Sequence, residues 1–152
     1  MKKYLTILLI IFLTNCGFKP MFKNIDTSKI NIKKIEYFGK NELTYLVQKN
    51  LNLGNNQNQN GYILEISVVE NSFSIAKNSS GITTQESYIL TTKLIIYDKN
   101  YQNILSQDNF SSSARINVTN NPSSDEETKR IERENIIRNL SQKIKFKLLT
   151  FK

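Results

Sequence analysis

The residue with the most distinctive chemistry in this sequence is Cys16, the only cysteine in the 152-residue chain. A lone cysteine excludes an internal disulfide, and the absence of histidine removes the commonest metal ligand and the usual general base. Glu65 and Glu70 are isolated carboxylates, without a spacing typical of a catalytic pair. The sequence has no nucleophile–base pattern, Gly-rich phosphate loop or metal-binding motif. We therefore expect no enzyme activity, no bound metal and no other cofactor.

Cys16 follows a short apolar segment that begins after two lysines. Lys2 and Lys3 precede a nearly uninterrupted apolar run from Leu5 to Phe12, which is typical of a secretory signal. The run is too short for a stable spanning helix, which needs about 20 apolar residues. A signal that ends at a lone cysteine resembles a bacterial lipoprotein signal, which is cut just before the cysteine so that the thiol can be acylated. This resemblance implies a signal peptide over residues 1–15, with diacylglycerol and palmitate on Cys16.

The neighbours of Cys16 qualify this interpretation. Asn15 stands where lipoprotein signals normally have Gly, Ala or Ser, so slowed processing and a plain secretory signal remain alternatives. Gly17, rather than Asp, implies by the same resemblance that the protein is released to the outer membrane. Two or more acyl chains would make the anchor stable, because each buried CH2 contributes about 0.8 kcal/mol. Residues 16–28 are then predicted to be a lipidated tether, and residues 29–152 a single domain.

The chain is basic, with a formal net charge of +8, and removing the two charges of Lys2 and Lys3 leaves +6. This balance suits an anionic partner such as lipid head groups, lipopolysaccharide phosphates or nucleic acid. Because the signal directs the chain out of the cytoplasm, we do not expect a nucleic-acid partner.

The first part of the domain predicts a strand followed by a helix. Apolar and polar residues alternate over residues 30–37, with a bulge or break where the parity shifts at Lys33–Lys34. The helix should be capped by Asn41 and ended by Gly54. Its apolar residues recur at three- and four-residue spacing and should be buried: Leu43, Leu46, Val47 and Leu51. The polar tract 55–61 is predicted to be a mobile loop.

Three further strands with alternating apolar residues are predicted: 62–75, 88–97 and 104–118. The first should contain a bulge near Val69–Asn71. Turn-forming clusters at 78–81 and 98–100 should join the strands as antiparallel neighbours.

A long helix is predicted from Asp125 to Thr150. Ser124 and Glu127 fit a capping box, in which two unsatisfied backbone amides are bonded reciprocally. Acids crowd the first turn, and lysines the end, which complements the helix dipole. The residues expected to be buried are Ile137, Leu140, Ile144, Leu148 and Phe151.

This order predicts an α+β fold, a two-layer sandwich in which a mixed four-stranded sheet has two helices on one face, in the order β-α-β-β-β-α. The order of the strands across the sheet stays open. The sheet face opposite the helices should carry Thr91, Lys93, Tyr97, Ser113 and Arg115, and can face solvent or a partner.

Behind such a signal, this order resembles the LptE family of lipopolysaccharide-assembly lipoproteins. Residues 16–22 read Cys-Gly-Phe-Lys-Pro-Met-Phe, similar to the Cys-Gly-Phe-x-Pro-Leu-Tyr start of the alphaproteobacterial branch. Residues 111–122 read Ser-Ser-Ser-Ala-Arg-Ile-Asn-Val-Thr-Asn-Asn-Pro, similar to the final strand and Asn-Pro turn of that branch. The charged helix that follows matches in position and length.

The resemblance implies a non-enzymatic lipoprotein on the periplasmic side of the outer membrane. Such proteins plug an LptD-type β-barrel, help it to assemble, and help lipopolysaccharide to reach the outer leaflet. Lys93 and Arg115 are our candidates for lipopolysaccharide contact, Arg115 above all because its planar fork matches a phosphate. Ordinary solvated surface is the alternative for both residues. The alternative for the whole chain is an outer-membrane-anchored periplasmic lipoprotein that binds another anionic envelope ligand.

Overall fold

The computed structural model describes residues 30–53, 60–119 and 121–151. Its elements, in chain order, are β1 (Ile32–Phe38), α1 (Asn41–Leu51), β2 (Tyr62–Lys77), β3 (Thr83–Tyr97), β4 (Ile104–Asn117) and α2 (Pro122–Thr150). The predicted signal peptide, Cys16, the tether and most of the polar tract lie outside the described residues.

The four strands form one mixed sheet in the order β1-β2-β3-β4. β1 pairs in parallel with β2, and the other pairs are antiparallel, as predicted. The register shifts between Ile32 and Lys34, which confirms the irregularity expected in the first strand. The bulge predicted near Val69–Asn71 is wrong: the pairing there is continuous, and the register of β2 shifts later, at residues 74–77.

Both helices pack on the same face of the sheet, which confirms the predicted fold class. The helical residues that the periodicity assigned to the core are buried, apart from Leu46 and Phe151, which are partly buried. On the sheet, the core face alternates as a strand requires, with these fully buried side chains: Leu64, Ile66, Leu90, Leu94, Ile96 and Ile116.

Helix α1 begins and ends at positions other than those predicted. Its N-cap is Lys40, which makes no side-chain capping bond, and Asn41 is already the first helical residue. Gly39 makes the turn into the helix with a φ of +133°. At the other end Asn52 adopts the left-handed conformation, and its amide donates to the Gln48 carbonyl at 2.9 Å. The predicted terminator Gly54 lies outside the described residues, beyond an end that Asn52 already makes.

The capping box predicted for α2 is also wrong. The N-cap is Asn121, whose side chain accepts from the Ser124 amide at 3.4 Å. Proline is well suited to a first helical position, because its fixed φ is helical and its missing amide hydrogen is not needed there. Pro122 therefore starts the helix three residues earlier than predicted. Asp125 faces back toward the sheet and accepts from the Thr119 amide at 2.9 Å.

Candidate functional site

The sheet face opposite the helices, here called the open face, carries both basic residues predicted to contact phosphate. Lys93 lies between Ser67 of β2 and Asn109 of β4, and it is partly buried. Arg115 lies beside Ser87 of β3 and is exposed. Both residues therefore lie on the open face, as predicted.

The structure does not bring Lys93 and Arg115 together. The cross-strand partner of Arg115 is Ser87, which precedes Lys93 on β3 by six positions. At the rise of a β-strand this separation is about 20 Å. The two cations therefore cannot clamp one phosphate, and each would have to contact a separate anionic group. Their role in lipopolysaccharide binding stays a prediction.

One half of the open face is covered by two tyrosines, one at the end of β3 and one in the β3–β4 turn. The rings of Tyr97 and Tyr101 lie 4.4 Å apart, and both hydroxyls donate to the Glu65 carboxylate. The Asp98 carboxylate holds the turn, accepting from the Gln102 amide at 2.9 Å and from the Asn103 side chain at 2.8 Å. These bonds extend the turn to Asn103, beyond the three residues predicted, and keep the pKa of Asp98 below its usual range.

The other half of the open face is accessible and mixed in chemistry. Val69 and Phe73 are exposed there, beside the polar rows of β3 and β4. Thr91 donates from Oγ1 to Ser111 Oγ at 3.3 Å, so the hydroxyl groups partly satisfy each other. This half offers apolar contact and hydrogen bonds at once, which is typical of a protein interface.

A charged network on the helix side was not predicted from the sequence. Arg133 of α2 donates from Nε to the Tyr88 hydroxyl at 3.0 Å and from a terminal nitrogen to Glu42 at 2.6 Å. The Tyr88 hydroxyl donates to Glu70 Oε2 at 2.6 Å, and Glu70 also pairs with Lys40. The network therefore links both helices to β2 and β3.

The network shifts the pKa values of its members. Burial alone would raise the pKa of Glu70, but hydrogen bonds from Lys40 and Tyr88, with the charges of Lys40 and Arg133, hold it below its usual range. Burial, with the bond to Glu70, raises the pKa of Tyr88 to about 12. Glu70 is thus ionised and Tyr88 protonated at neutral pH. Each group has a hydrogen-bond or ion-pair partner within the network, so the arrangement joins four secondary-structure elements.

A sequence signal for this network does exist. Glu70 follows Ile66 and Val68 with the same parity, which places a carboxylate on the core face of β2. Arg133 precedes Ile137 by four residues, which places a cation on the buried stripe of α2. A charge at a core position needs a partner of opposite charge. The sequence alone does not show that these two charges are partners.

The described residues were compared with the requirements of a metal site and of a membrane-spanning helix. Among residues 30–53, 60–119 and 121–151, no group of three or more His, Cys, Asp or Glu side chains is placed to hold a metal ion. In the same ranges, no helix combines the length and apolarity needed to cross a membrane. Cys16 lies outside these ranges, so its acylation stays a prediction.

A groove of about 460 Å³ runs along the C-terminal half of α2 beside β4. Phe110 and Phe146 contribute apolar surface, and Lys143 and Lys147 line the same groove. Lys147 pairs with Asp108 at 3.1 Å, and Lys143 donates to the Ser111 carbonyl at 3.3 Å. The cations at this groove are therefore close to β4.

The fold is similar to solved structures of bacterial lipoproteins. Rare lipoprotein B from Shewanella oneidensis matches with a TM-score of 0.59 at 10% identity, covering 77% of this chain and 94% of its own. A minor lipoprotein from Acinetobacter baumannii matches with a TM-score of 0.58 at 13% identity, covering 78% and 92%. An uncharacterized lipoprotein B from Nitrosomonas europaea matches with a TM-score of 0.55 at 8% identity, covering 76% and 81%.

At these identities the likeness establishes a shared fold. The sequence itself matches no protein-family profile and no curated protein.

Proposed function

We propose that this chain is a non-enzymatic outer-membrane lipoprotein that plugs an LptD-type β-barrel, helps it to assemble, and so serves lipopolysaccharide export to the outer leaflet. The observation that carries the proposal is the joint occurrence of two motifs in one fold. The cysteine motif at 16–22 precedes the domain, and the strand-to-Asn-Pro motif at 111–122 runs from β4 to the start of α2 within it. The fold of this domain is similar to that of the solved lipoproteins.

The surface of the domain suits a polar lumen. The interior of a large membrane barrel is polar, so a plug needs hydrogen-bonding groups over most of its exterior. The accessible half of the open face offers hydroxyl groups from Thr91, Ser111 and Ser113, with Val69 and Phe73 as apolar contacts. We assign the contact with the barrel wall to this half.

Copurification from outer membranes tests the partner. The full chain, carrying a C-terminal tag, should recover a large β-barrel in about equal amount. Replacing Ser113 by Arg places a bulky cation on the exposed half of the open face and should reduce that recovery several-fold. The matched control is Asn135→Arg, which adds the same charge at an exposed position of α2 and should leave recovery unchanged.

The outcomes separate the proposal from its alternative. If the wild-type chain recovers no barrel but binds an anionic envelope ligand by itself, the alternative lipoprotein function replaces the proposed one. If both arginine variants recover the barrel as well as wild type does, the open face is not the contact surface.

Lipopolysaccharide contact by Lys93 and Arg115 is tested separately. Because the two residues are about 20 Å apart, Lys93→Gln and Arg115→Gln should each weaken lipopolysaccharide binding, and their effects should add. Sites that far apart and without shared partners behave independently. Unchanged binding in the double variant would leave both residues as ordinary surface.

A further inference from the structure

The termini of four strands and of α2 lie at one end of the domain, which is here called the anchor end. β1 and β2 begin there, β3 ends there and β4 begins there, as the pairs Ile32–Tyr62 and Tyr97–Ile104 show. The C-terminus of α2 lies at the same end, because the rings of Tyr62 and Phe151 meet edge to face at 5.4 Å. The path back to Cys16 leaves from Ile30, at this end, and can reach no more than about 50 Å.

The anchor end collects lysines from three separate parts of the chain. Glu134 is the last acidic side chain of the sequence, and the last turns of α2, which reach this end, carry Lys145 and Lys147. Lys33, Lys34 and Lys99 line one open depression beside Tyr101, and Lys33 donates to the Lys99 carbonyl at 3.0 Å.

The acids at this end are already engaged. Asp98 accepts from its own turn, and Asp108 accepts from Ser106 at 2.8 Å and pairs with Lys147. Glu36 pairs with Lys34. Glu65 also lies at this end, where it accepts from Tyr97 and Tyr101. Hydrogen bonds do not remove the charge of a carboxylate, so among the described residues these four acids are set against five lysines: Lys33, Lys34, Lys99, Lys145 and Lys147. The anchor end therefore keeps a small excess of positive charge.

Large apolar side chains are exposed among these lysines. Ile104 and Leu105 are consecutive in β4, so their side chains point to opposite sides, yet they are 57% and 46% exposed. Tyr101 and Leu149 are exposed at the same end. Apolar side chains interleaved with lysines are typical of surfaces that rest in the head-group region of a membrane.

The opposite end differs in its electrostatics. Acids are as numerous there as basic side chains, because Asp125, Glu126 and Glu127 all lie at the start of α2. Lys129 pairs with Glu86 at 3.0 Å, and Arg130 pairs with Glu127 and Glu134, both at 2.7 Å. Arg133 is paired within the network described above. The excess positive charge is therefore concentrated where the chain leaves toward Cys16.

We propose that the anchor end lies on an anionic phospholipid surface, with its lysines against the phosphates and Leu105 and its neighbours between the head groups. Charge complementarity favours this occupant, since lysines close to an anionic membrane strengthen binding in a salt-dependent way. The inference rests on the acyl anchor of the proposed function and not on the barrel partner. The contact fixes the orientation of the domain relative to the membrane.

The chain has no tryptophan, which allows a single-site fluorescence test. Leu105→Trp places a reporter at the anchor end, and Phe73→Trp is the matched control on the exposed hairpin at the other end. Both acylated full chains are reconstituted in phosphatidylcholine vesicles, with or without phosphatidylglycerol, that contain brominated lipid. When phosphatidylglycerol is present, the emission of the Leu105→Trp chain should shift to shorter wavelength and be quenched, and the emission of the Phe73→Trp chain should not change.

Charge variants in the Leu105→Trp background identify the lysines. Neutralising Lys33, Lys34 and Lys99 to Gln should raise the phosphatidylglycerol fraction needed for half-maximal quenching by at least about threefold. The control neutralises Lys77, Lys93 and Arg115 to Gln, which removes the same charge away from the anchor end. It should change that fraction by less than about 1.5-fold, and thermal melts verify that both variants fold.

Three results would overturn the proposal: no response of the Leu105→Trp chain to phosphatidylglycerol, equal quenching of the Phe73→Trp chain, or equal effects of the two charge variants. Equal effects would mean that net charge alone attracts the protein. The vesicles contain no barrel, so a negative result here leaves the copurification test untouched, and a failure of copurification leaves this test valid.

Discussion

Arg133 donates from Nε to the hydroxyl oxygen of Tyr88 at 3.0 Å, and this bond joins α2 to β3. The same hydroxyl donates to Glu70, so one phenol bridges a cation and a carboxylate. The Arg133 side chain is only 12% exposed, which leaves it dependent on protein groups for compensation of its charge.

Tyr88→Phe removes this bridge while it keeps the ring packing. We expect the free energy of unfolding to fall by about 1–2 kcal/mol, because a guanidinium and a carboxylate each lose a hydrogen bond. Urea unfolding measures the loss. Tyr45→Phe, at an exposed position of α1, is the control and should stay within about 0.5 kcal/mol of wild type. Equal stability of Tyr88→Phe and wild type would show that the bridge contributes nothing.

Stability should decrease in acid through Glu70 and Glu86. Bonds from Lys129 and Ser72 lower the pKa of Glu86, and the network described above lowers that of Glu70. A carboxyl whose pKa is lowered on folding stabilises the native state above its unfolded pKa of about 4.3, and this contribution is lost as pH falls through the folded pKa.

The measurement is the free energy of unfolding between pH 7 and pH 3. In wild type this free energy should decrease as the pH is lowered from about 5 to 3. The decrease should be less steep in a Glu70→Gln, Glu86→Gln double variant. A double variant with the same slope as wild type would assign the acid sensitivity to other carboxylates.

The two candidate caps of α2 can be distinguished by substitution. Asn121→Ala removes the observed cap and should cost about 0.5–1 kcal/mol. Ser124→Ala should cost less than about 0.5 kcal/mol, because it is the Ser124 amide that bonds to the cap. Melting temperatures of the two variants provide the comparison, and a larger drop for Ser124→Ala would restore the capping box predicted from the sequence.

Two glycines with positive φ should respond differently to alanine. A methyl group on Gly39 would overlap the Val68 carbonyl oxygen, so Gly39→Ala should cost more than about 2 kcal/mol or prevent folding. Gly81 has open space around it, and Gly81→Ala should cost only about 1 kcal/mol from its left-handed backbone. Denaturant unfolding ranks the two, and a reversed order would contradict the placement of the turn before α1.

Mass spectrometry tests the predicted acylation. Protein purified from outer membranes should begin at Cys16, and its N-terminal peptide should carry the mass of diacylglycerol and a further acyl chain. A Cys16→Ser chain should lack this added mass. An unmodified thiol at the N-terminus of a protein recovered from the periplasm would refute both the anchor and the functions built on it.

Local patterns in the sequence determined the element order and the core face of each element. Alternation along the strands and three- and four-residue spacing along the helices depend only on backbone geometry, so Leu64 and Leu140 could be assigned to the core without a fold. The same patterns placed Lys93 and Arg115 on the open face.

The helix termini needed more than local pattern. Asn121 and Ser124 both have side chains able to cap a helix, and Asn41 is equally suitable by type. Which residue becomes the N-cap depended on the position at which the chain leaves the preceding strand. Pro122 starts α2 shortly after the end of β4, and Lys40, the N-cap of α1, pairs with Glu70 of β2. Such competition is decided by residues distant in sequence.

The sequence alone therefore specified a basic, histidine-free α+β domain behind an apolar segment and a lone cysteine. Only the tertiary structure decided that Arg133 meets Tyr88 and Glu70, and that Lys93 and Arg115 lie too far apart to share a phosphate. It also decided that Lys33 and Lys34 line one depression with Lys99. The physical reason is that periodicity fixes which way a side chain points. Which side chains become neighbours depends on strand register and helix docking, and these form between residues far apart in the chain.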